Sequence, residues 1–177
     1  LLLNSTSNRF PNGLGNDSET LDKYVAFHQY RGSGLATFEG FEDSYYHGRR
    51  PTTAFMPPFR NVRKQETDFL WGYMVAFSAS RRVGNATTET PTFGTEFKAN
   101  STEIGPWQLF IMMQGETIPK EENHVKLSKE LKDKWGVPQL ITSVDYDEND
   151  EKMLKDFHGQ ASEMLEKAGG QNIRMAD

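Results

Sequence analysis

The chain has 177 residues, a formal net charge of −5 and no cysteine. This length fits one domain, or one large domain with an appendage. The absence of cysteine excludes a disulfide framework, a thiolate zinc site and a cysteine nucleophile. A mildly acidic chain binds phosphate poorly, which argues against nucleic acid as the main partner. No apolar run approaches the roughly 18 residues of a membrane span, so we expect none.

The first 20 residues resemble the end of another domain and a linker. Leu1 to Leu3 have the composition of a buried strand, and residues 4–20 are dense in turn formers. The sequence therefore favours a piece excised from a longer chain, with a processed N-terminus as the alternative. We expect residues 1–20 to pack poorly on the rest. The leucines should be exposed or covered by another copy of the chain.

Strands dominate the first two thirds of the chain. Residues 24–38 alternate apolar and polar side chains and predict a strand, or a strand pair, interrupted near Gly32. Residues 40–63 contain three prolines and no helical period, which indicates an extended segment. Residues 69–80 have the composition of a buried strand. Residues 84–104 fit either a short helix or a surface loop.

The remaining elements complete an α+β pattern. Residues 107–118 and 124–127 predict a β-hairpin with a five-residue connection, and residues 139–146 predict a further strand. Residues 153–168 have apolar side chains at helical spacing, with acidic residues before them and Gly169 after them. We predict an antiparallel sheet of about five or six strands with an amphipathic C-terminal helix packed on one face.

The familiar catalytic motifs are missing from this sequence. It has no G-x-G-x-x-G, no phosphate-binding P-loop, no G-x-S-x-G and no H-E-x-x-H. Its four histidines lie too far apart for a helical metal pair. An aromatic-rich antiparallel sheet can present flat rings to a sugar, although the same rings can serve as packing. The aromatic candidates are Tyr30, Tyr45, Tyr46, Trp71, Tyr73 and Trp107.

Several segments together resemble the glucose–methanol–choline (GMC) family of FAD-dependent oxidoreductases. Pro119 to Leu127 resembles the family's P-x-x-x-N-x-V-x-L segment, and Asp133 to Pro138 resembles its D-x-W-G-[IV]-P connection. Further similar segments, which occur in the family's order, are residues 1–5, 10–16, 40–51, 59–61 and 146–153. The segments at 40–51 and 59–61 are similar to the sugar-oxidising bacterial branch.

The resemblance implies a position within a larger flavoprotein. Residues 1–20 would be a remnant of the FAD domain, and residues 21–177 the substrate-binding domain. The family's dinucleotide fingerprint would precede residue 1, and its catalytic histidine would follow residue 177. The intact enzyme would transfer a hydride from a sugar or polyol CH–OH group to FAD. This chain alone would bind no FAD and would be inactive.

Strand alternation and the resemblance together indicate which residues would contact substrate. On residues 107–116, one set of alternate side chains mixes amides with apolar groups, as a sugar site requires. The predicted substrate-binding residues are Gln108, Met112, Gln114 and Glu116, with Tyr73 and Tyr30 as stacking partners. The alternative is a non-catalytic carbohydrate-binding or interaction module with aromatic side chains on its sheet.

Overall fold

A computed structural model of the chain describes residues 1–44, 53–83 and 93–177. The chain forms two compact units. The first comprises Leu1–His28 and Glu116–Glu148, and the second comprises Gln29–Gly115 and Asn149–Asp177. The boundary at residue 20 stays a prediction. Tyr45 and Tyr46, two of the aromatic candidates, lie outside the described residues.

The described elements are mostly strands. In chain order they are β1 (His28–Gln29), β2 (Ser33–Phe38), β3 (Ala54–Met56), β4 (Tyr73–Val83), α1 (Gly94–Thr102), β5 (Ile104–Glu116), β6 (His124–Lys132), β7 (Pro138–Ser143), α2 (Glu148–Lys167) and β8 (Gln171–Ala176). A short 3-10 turn covers Leu2–Asn4. The undecided segment at 84–104 is thus helical over α1, while residues 84–92 lie outside the described part.

The second unit is built on an antiparallel sheet in the order β3-β4-β5-β2-β8, with β1 paired to β5. The long strands β4 and β5 form its centre. The C-terminal helix α2 packs on one face through apolar side chains spaced three or four residues apart. The predicted α+β class, with an antiparallel sheet and an amphipathic C-terminal helix, is confirmed.

The core of the second unit lies between α2 and this face of the sheet. Tyr73, Val75, Ile111 and Met113 on the sheet are at most 1% exposed, and Phe157 of α2 is completely buried. Two glycines allow the close approach. A Cβ added at Gly32 would lie 2.5 Å from the Phe157 ring, and one at Gly115 would lie 2.5 Å from Met153 Sδ.

The loop between β3 and β4 is organised by one asparagine. Asn61 Nδ2 donates to the carbonyl oxygens of Phe69 and Trp71 at 2.9 and 2.6 Å. Asn61 Oδ1 accepts from the backbone N–H of Glu66 at 2.9 Å. Asn61 and Trp71 both have positive φ, at 54° and 65°. The side-chain bonds hold a backbone conformation that a bulky residue such as Trp71 rarely adopts.

The first unit contains a two-stranded sheet of β6 and β7. Its turn is fixed by Asp133, whose Oδ1 accepts from the backbone N–H groups of Trp135 and Val137, both at 2.9 Å. Gly136 supplies the left-handed position with φ of 83°. Asn123, which is 1% exposed, accepts from the Asp145 N–H at 2.9 Å and so holds the chain before α2.

The predicted hairpin of residues 107–118 with 124–127 is wrong. In the structure β5 pairs with β4 and β2, while β6 pairs with β7. The charged residues after Leu127, predicted as a turn, continue β6 to Lys132 because the tight turn begins only at Asp133. The strand β8 after Gly170 was not predicted. It pairs with β2 at the edge of the sheet.

Candidate functional site

The sheet of the second unit has one face packed under α2 and one face turned away from it. Side chains opposite each other on paired strands share a face, so the register identifies both sets. We call the face turned away from α2 the open face. Its residues are Ser33, Leu35, Thr37, Phe55, Met74, Ala76, Ser78, Ser80, Gln108, Phe110, Met112, Gln114, Arg174 and Ala176. All except Ala76 are exposed or half-buried.

Three of the predicted site residues lie together on this face. Gln108, Met112 and Gln114 alternate along β5 with Ile111 and Met113, which are buried. The two alternate sets of β5 side chains therefore lie on opposite faces of the sheet, as expected. Glu116 continues the same alternation but belongs to the first unit, so it is not assigned to a site in the second.

The two predicted stacking residues lie in different environments. Tyr30 follows β1 and is 48% exposed. Tyr73 is 1% exposed, and its ring packs edge-on against Phe59 and Phe157. Its register partner Gly115 shows that it belongs to the set under α2. Tyr73 thus presents no ring face to a ligand, because it is part of the core.

The distance along β5 divides the open face into two ends. Gln108 and Gln114 are six residues apart, which corresponds to ~20 Å along a strand. A single pyranose ring cannot contact both side chains. At one end, Gln114 lies opposite Met74 and near Met112; at the other, Gln108 lies between Ser80 and Thr37.

Several polar side chains of the open face make no hydrogen bond within the part of the chain that the structure describes. The Gln108 and Gln114 amides and the Ser80 hydroxyl make no hydrogen bond to another residue that the structure describes. The apolar side chains between the two ends include Phe110, which is 38% exposed. Of the open-face residues named above, only Arg174 is charged. The face therefore offers neutral donors and acceptors around an apolar centre.

Sequence reasoning did not identify Ser80, Thr37 or Asn172. Asn172 Nδ2 donates to Thr37 Oγ1 at 3.1 Å, and Thr37 Oγ1 donates to the Gln171 carbonyl at 3.1 Å. Asn172 has φ of 51°, and the β2–β8 register shifts between Leu35 and Thr37. The alternation of β4 did not single out Ser80, because both alternate sets of that strand contain apolar side chains. The contribution of β8 was missed because that strand was not predicted.

A second concavity in the same unit is almost entirely apolar. It has a volume of about 330 Å³, and its lining consists of Phe38, Phe41, Ser44, Ala79, Trp107, Gln108 and Leu109. The Trp107 indole N–H donates to the Phe41 carbonyl at 2.9 Å, so this donor is already used. The polar side chains of the cavity lining are Ser44 and Gln108, so Gln108 borders this cavity as well as the open face.

The hydrogen-bonded cluster of Arg60, Asp156 and Tyr73 has a structural role. Asp156 accepts from Arg60 Nε and Nη2 at 2.9 and 2.8 Å and from the Tyr73 hydroxyl at 2.6 Å. Burial raises the pKa of Tyr73 well above its ordinary value, and the hydrogen bond to Asp156 adds to this effect. A buried phenol held neutral beside an ion-paired carboxylate has no access to substrate. We assign this cluster to the attachment of the β3–β4 loop to α2.

The first unit has a broad groove of about 690 Å³ with charges of both signs. Its lining includes Glu19, Asp22, Lys23, Lys126 and Lys129. Lys23 is paired with Glu121, Nζ to Oε1 at 2.8 Å. Lys126 and Lys129 are exposed on β6. This groove has the character of a solvated surface.

Other site types find no support in the described ranges. No three His, Asp or Glu residues there are grouped to hold a metal ion. None of the described helices is long and apolar enough to cross a membrane. No protein-family model and no curated protein sequence matches the chain. The open face therefore has to be interpreted from its own chemistry.

Proposed function

We propose that this chain is the substrate-binding domain of an FAD-dependent oxidoreductase acting on CH–OH groups, with a sugar or polyol as substrate. The observation that carries the proposal is the open face, where neutral side chains, including Gln108, Gln114 and Ser80 without a hydrogen-bond partner among the described residues, surround an apolar centre. Substrate pockets combine few polar groups with apolar walls in this way. The ordered resemblance to the GMC family supplies the reaction.

The role of the chain in this proposal is orientation. The Gln114 amide can donate to and accept from a substrate hydroxyl, while Met112 and Met74 contact the C–H side of the ring. Holding the reacting C–H in a fixed geometry lowers the barrier without any chemistry by these side chains. Apolar contacts around the reacting carbon also exclude water.

The cofactor and the proton acceptor would come from another domain. FAD, when bound, accepts the hydride, and a separate base takes the hydroxyl proton. The residues of this chain do not fit FAD by themselves. The sequence has no G-x-G-x-x-G at a strand–helix turn that could hold the pyrophosphate.

The test begins with the encoding gene and the full-length protein. We expect a G-x-G-x-x-G upstream, a histidine-containing motif downstream, and a purified full-length protein whose flavin is reduced on adding sugar. The 177-residue chain alone should be colourless and inactive. A gene that ends near residues 1 and 177, or a yellow sample of the short chain, would contradict the proposal.

A carbohydrate-binding module without catalysis is the second candidate. It is favoured by one observation, namely that Gln108, Ser80 and Phe110 all lie within the second unit and need no other domain to contact a ligand. Full-length protein that binds sugar but contains no flavin would support this function over the oxidoreductase.

A further inference from the structure

The end of the open face remote from Gln114 has a continuous line of polar side chains. Ser80 on β4 lies opposite Gln108 on β5, and Gln108 lies opposite Thr37 on β2. Neighbouring strands are about 4.8 Å apart, so the three side chains span roughly 10 Å. Asn172 extends the line through its bond to Thr37. We call Ser80, Gln108, Thr37 and Asn172 the polar row.

The members of the polar row have two different roles. Thr37 Oγ1 donates to the Gln171 carbonyl at 3.1 Å and accepts from Asn172 Nδ2 at 3.1 Å, so this hydroxyl is held in place. The register shift in the β2–β8 pairing accompanies the left-handed backbone of Asn172. Bulges of this kind redirect side chains. Gln108 and Ser80 make no side-chain hydrogen bond to another residue in the described ranges, so this part of the chain does not use their polar groups.

An aromatic platform adjoins the polar row. Phe110 is two residues from Gln108 on the same strand and face, ~7 Å along β5, and it is 38% exposed. A pyranose stacked on this ring would place its hydroxyl groups toward the Gln108 amide and the Ser80 hydroxyl. The polar row contains no charged side chain. Its chemistry therefore suits a neutral carbohydrate better than a phosphate or a carboxylate ligand.

We propose that the polar row and Phe110 form a carbohydrate subsite separate from the Gln114 end of the open face. One ring cannot bridge the ~20 Å from Gln108 to Gln114. A substrate that occupies both ends is therefore an oligosaccharide. The existence of the subsite is argued from the open face alone. That its ligand is a substrate of an enzyme rests on the proposed function.

The test is a heteronuclear NMR titration of the 177-residue chain with glucose, maltotetraose and cellotetraose. We expect at least one tetrasaccharide to shift the Gln108 side-chain amide and the Phe110 and Ser80 backbone amides, and to bind more tightly than glucose. Gln108→Ala should raise its Kd about tenfold, because a net hydrogen bond of ~1 kcal/mol or slightly more is lost. Ser80→Ala should act in the same direction.

Gln139→Ala is the matched control, since Gln139 is an exposed glutamine on β7 of the first unit. It should leave the Kd unchanged, and the backbone spectra of all variants should remain native. The subsite is refuted if neither tetrasaccharide shifts the polar row at millimolar concentration, or if Gln108→Ala binds like the unmodified chain. If the full-length protein nevertheless oxidises glucose, the proposed function stands and only the subsite is refuted.

Discussion

Tyr73 shows how a residue that suits a sugar site can instead belong to the core. Both alternate sets of β4 contain apolar side chains, so alternation alone could not tell which set faces α2. On β5 the two sets differ in polarity, and there the sequence separated Gln108, Met112 and Gln114 correctly from the buried set. The sequence therefore predicts which side chains of a strand are buried only where the two alternate sets differ in polarity.

The Tyr73 hydroxyl should make stability depend on alkaline pH. Burial raises the pKa of Tyr73 above its ordinary value of 10.0, so the folded chain keeps a proton that the unfolded chain loses. The stabilisation is complete below pH 10.0 and declines as the pH rises above this value. Tyr73→Phe should weaken that decline, at a cost of about 1 kcal/mol at neutral pH.

Urea unfolding of Tyr73→Phe and of the unmodified chain between neutral pH and pH 11 measures how steeply each loses stability. The other tyrosines and the lysines titrate in both proteins, so their contribution cancels in the comparison. The Tyr30→Phe variant is the control, because Tyr30 is 48% exposed. Parallel pH profiles for Tyr73→Phe and the unmodified chain would show that Tyr73 ionises alike in the folded and unfolded states.

Gln114 carries the residue-scale prediction for function. In the full-length protein, Gln114→Ala should raise the sugar KM or lower kcat about tenfold, because one hydrogen bond to a substrate hydroxyl is lost. Flavin content and melting temperature should stay unchanged, since the Gln114 amide bonds to no other residue in the described part of the chain. Steady-state kinetics with thermal unfolding checks this. Unchanged kinetics would remove Gln114 from the site.

At the scale of elements, glycines allow α2 to pack closely against the sheet. Gly32→Ala would place a Cβ 2.5 Å from the completely buried Phe157 ring, which has no room to move. We expect a loss of about 1–3 kcal/mol in unfolding free energy. Gly159→Ala is the matched control, because nothing lies within 4 Å of its added Cβ on α2.

Gly159→Ala should instead stabilise the chain by about 0.5–1 kcal/mol, since alanine is the better helix former. Chemical denaturation of both variants tests the contact, and the opposite signs are the diagnostic result. Equal effects from the two substitutions would mean that α2 does not pack on Gly32 as described.

Two asparagines and one aspartate have structural roles in this chain. Asn61 holds the β3–β4 loop, Asn123 holds the chain before α2, and Asp133 forms the turn between β6 and β7. Such residues report on the fold more directly than on catalysis. The sequence predicted most strands and α2 from local periodicity. It failed on the pairing of β6, because strand partners are chosen by non-local contacts that periodicity does not encode.

At the scale of the whole molecule, the first unit has exposed apolar side chains near its N-terminus, where Leu1 is fully exposed, and at the end of its hairpin. The turn end of the β6–β7 hairpin carries Leu131, Trp135 and Leu140, which are 58%, 76% and 58% exposed. We call this group the hairpin tip. Asp133 fixes its backbone, so these side chains are presented by an ordered turn. Exposed apolar side chains grouped near one turn favour association.

We therefore predict that the 177-residue chain self-associates through the hairpin tip. Trp135→Ser removes a large exposed ring and should weaken the dimer at least about tenfold, since burial of such a side chain is worth ~1.5–3 kcal/mol. Light scattering over a range of protein concentrations measures the effect. Val62→Ser is the control, because Val62 is 66% exposed but lies in the second unit. A chain that stays monomeric at all concentrations, or that dimerises equally well with Trp135→Ser, would show that the hairpin tip does not mediate association.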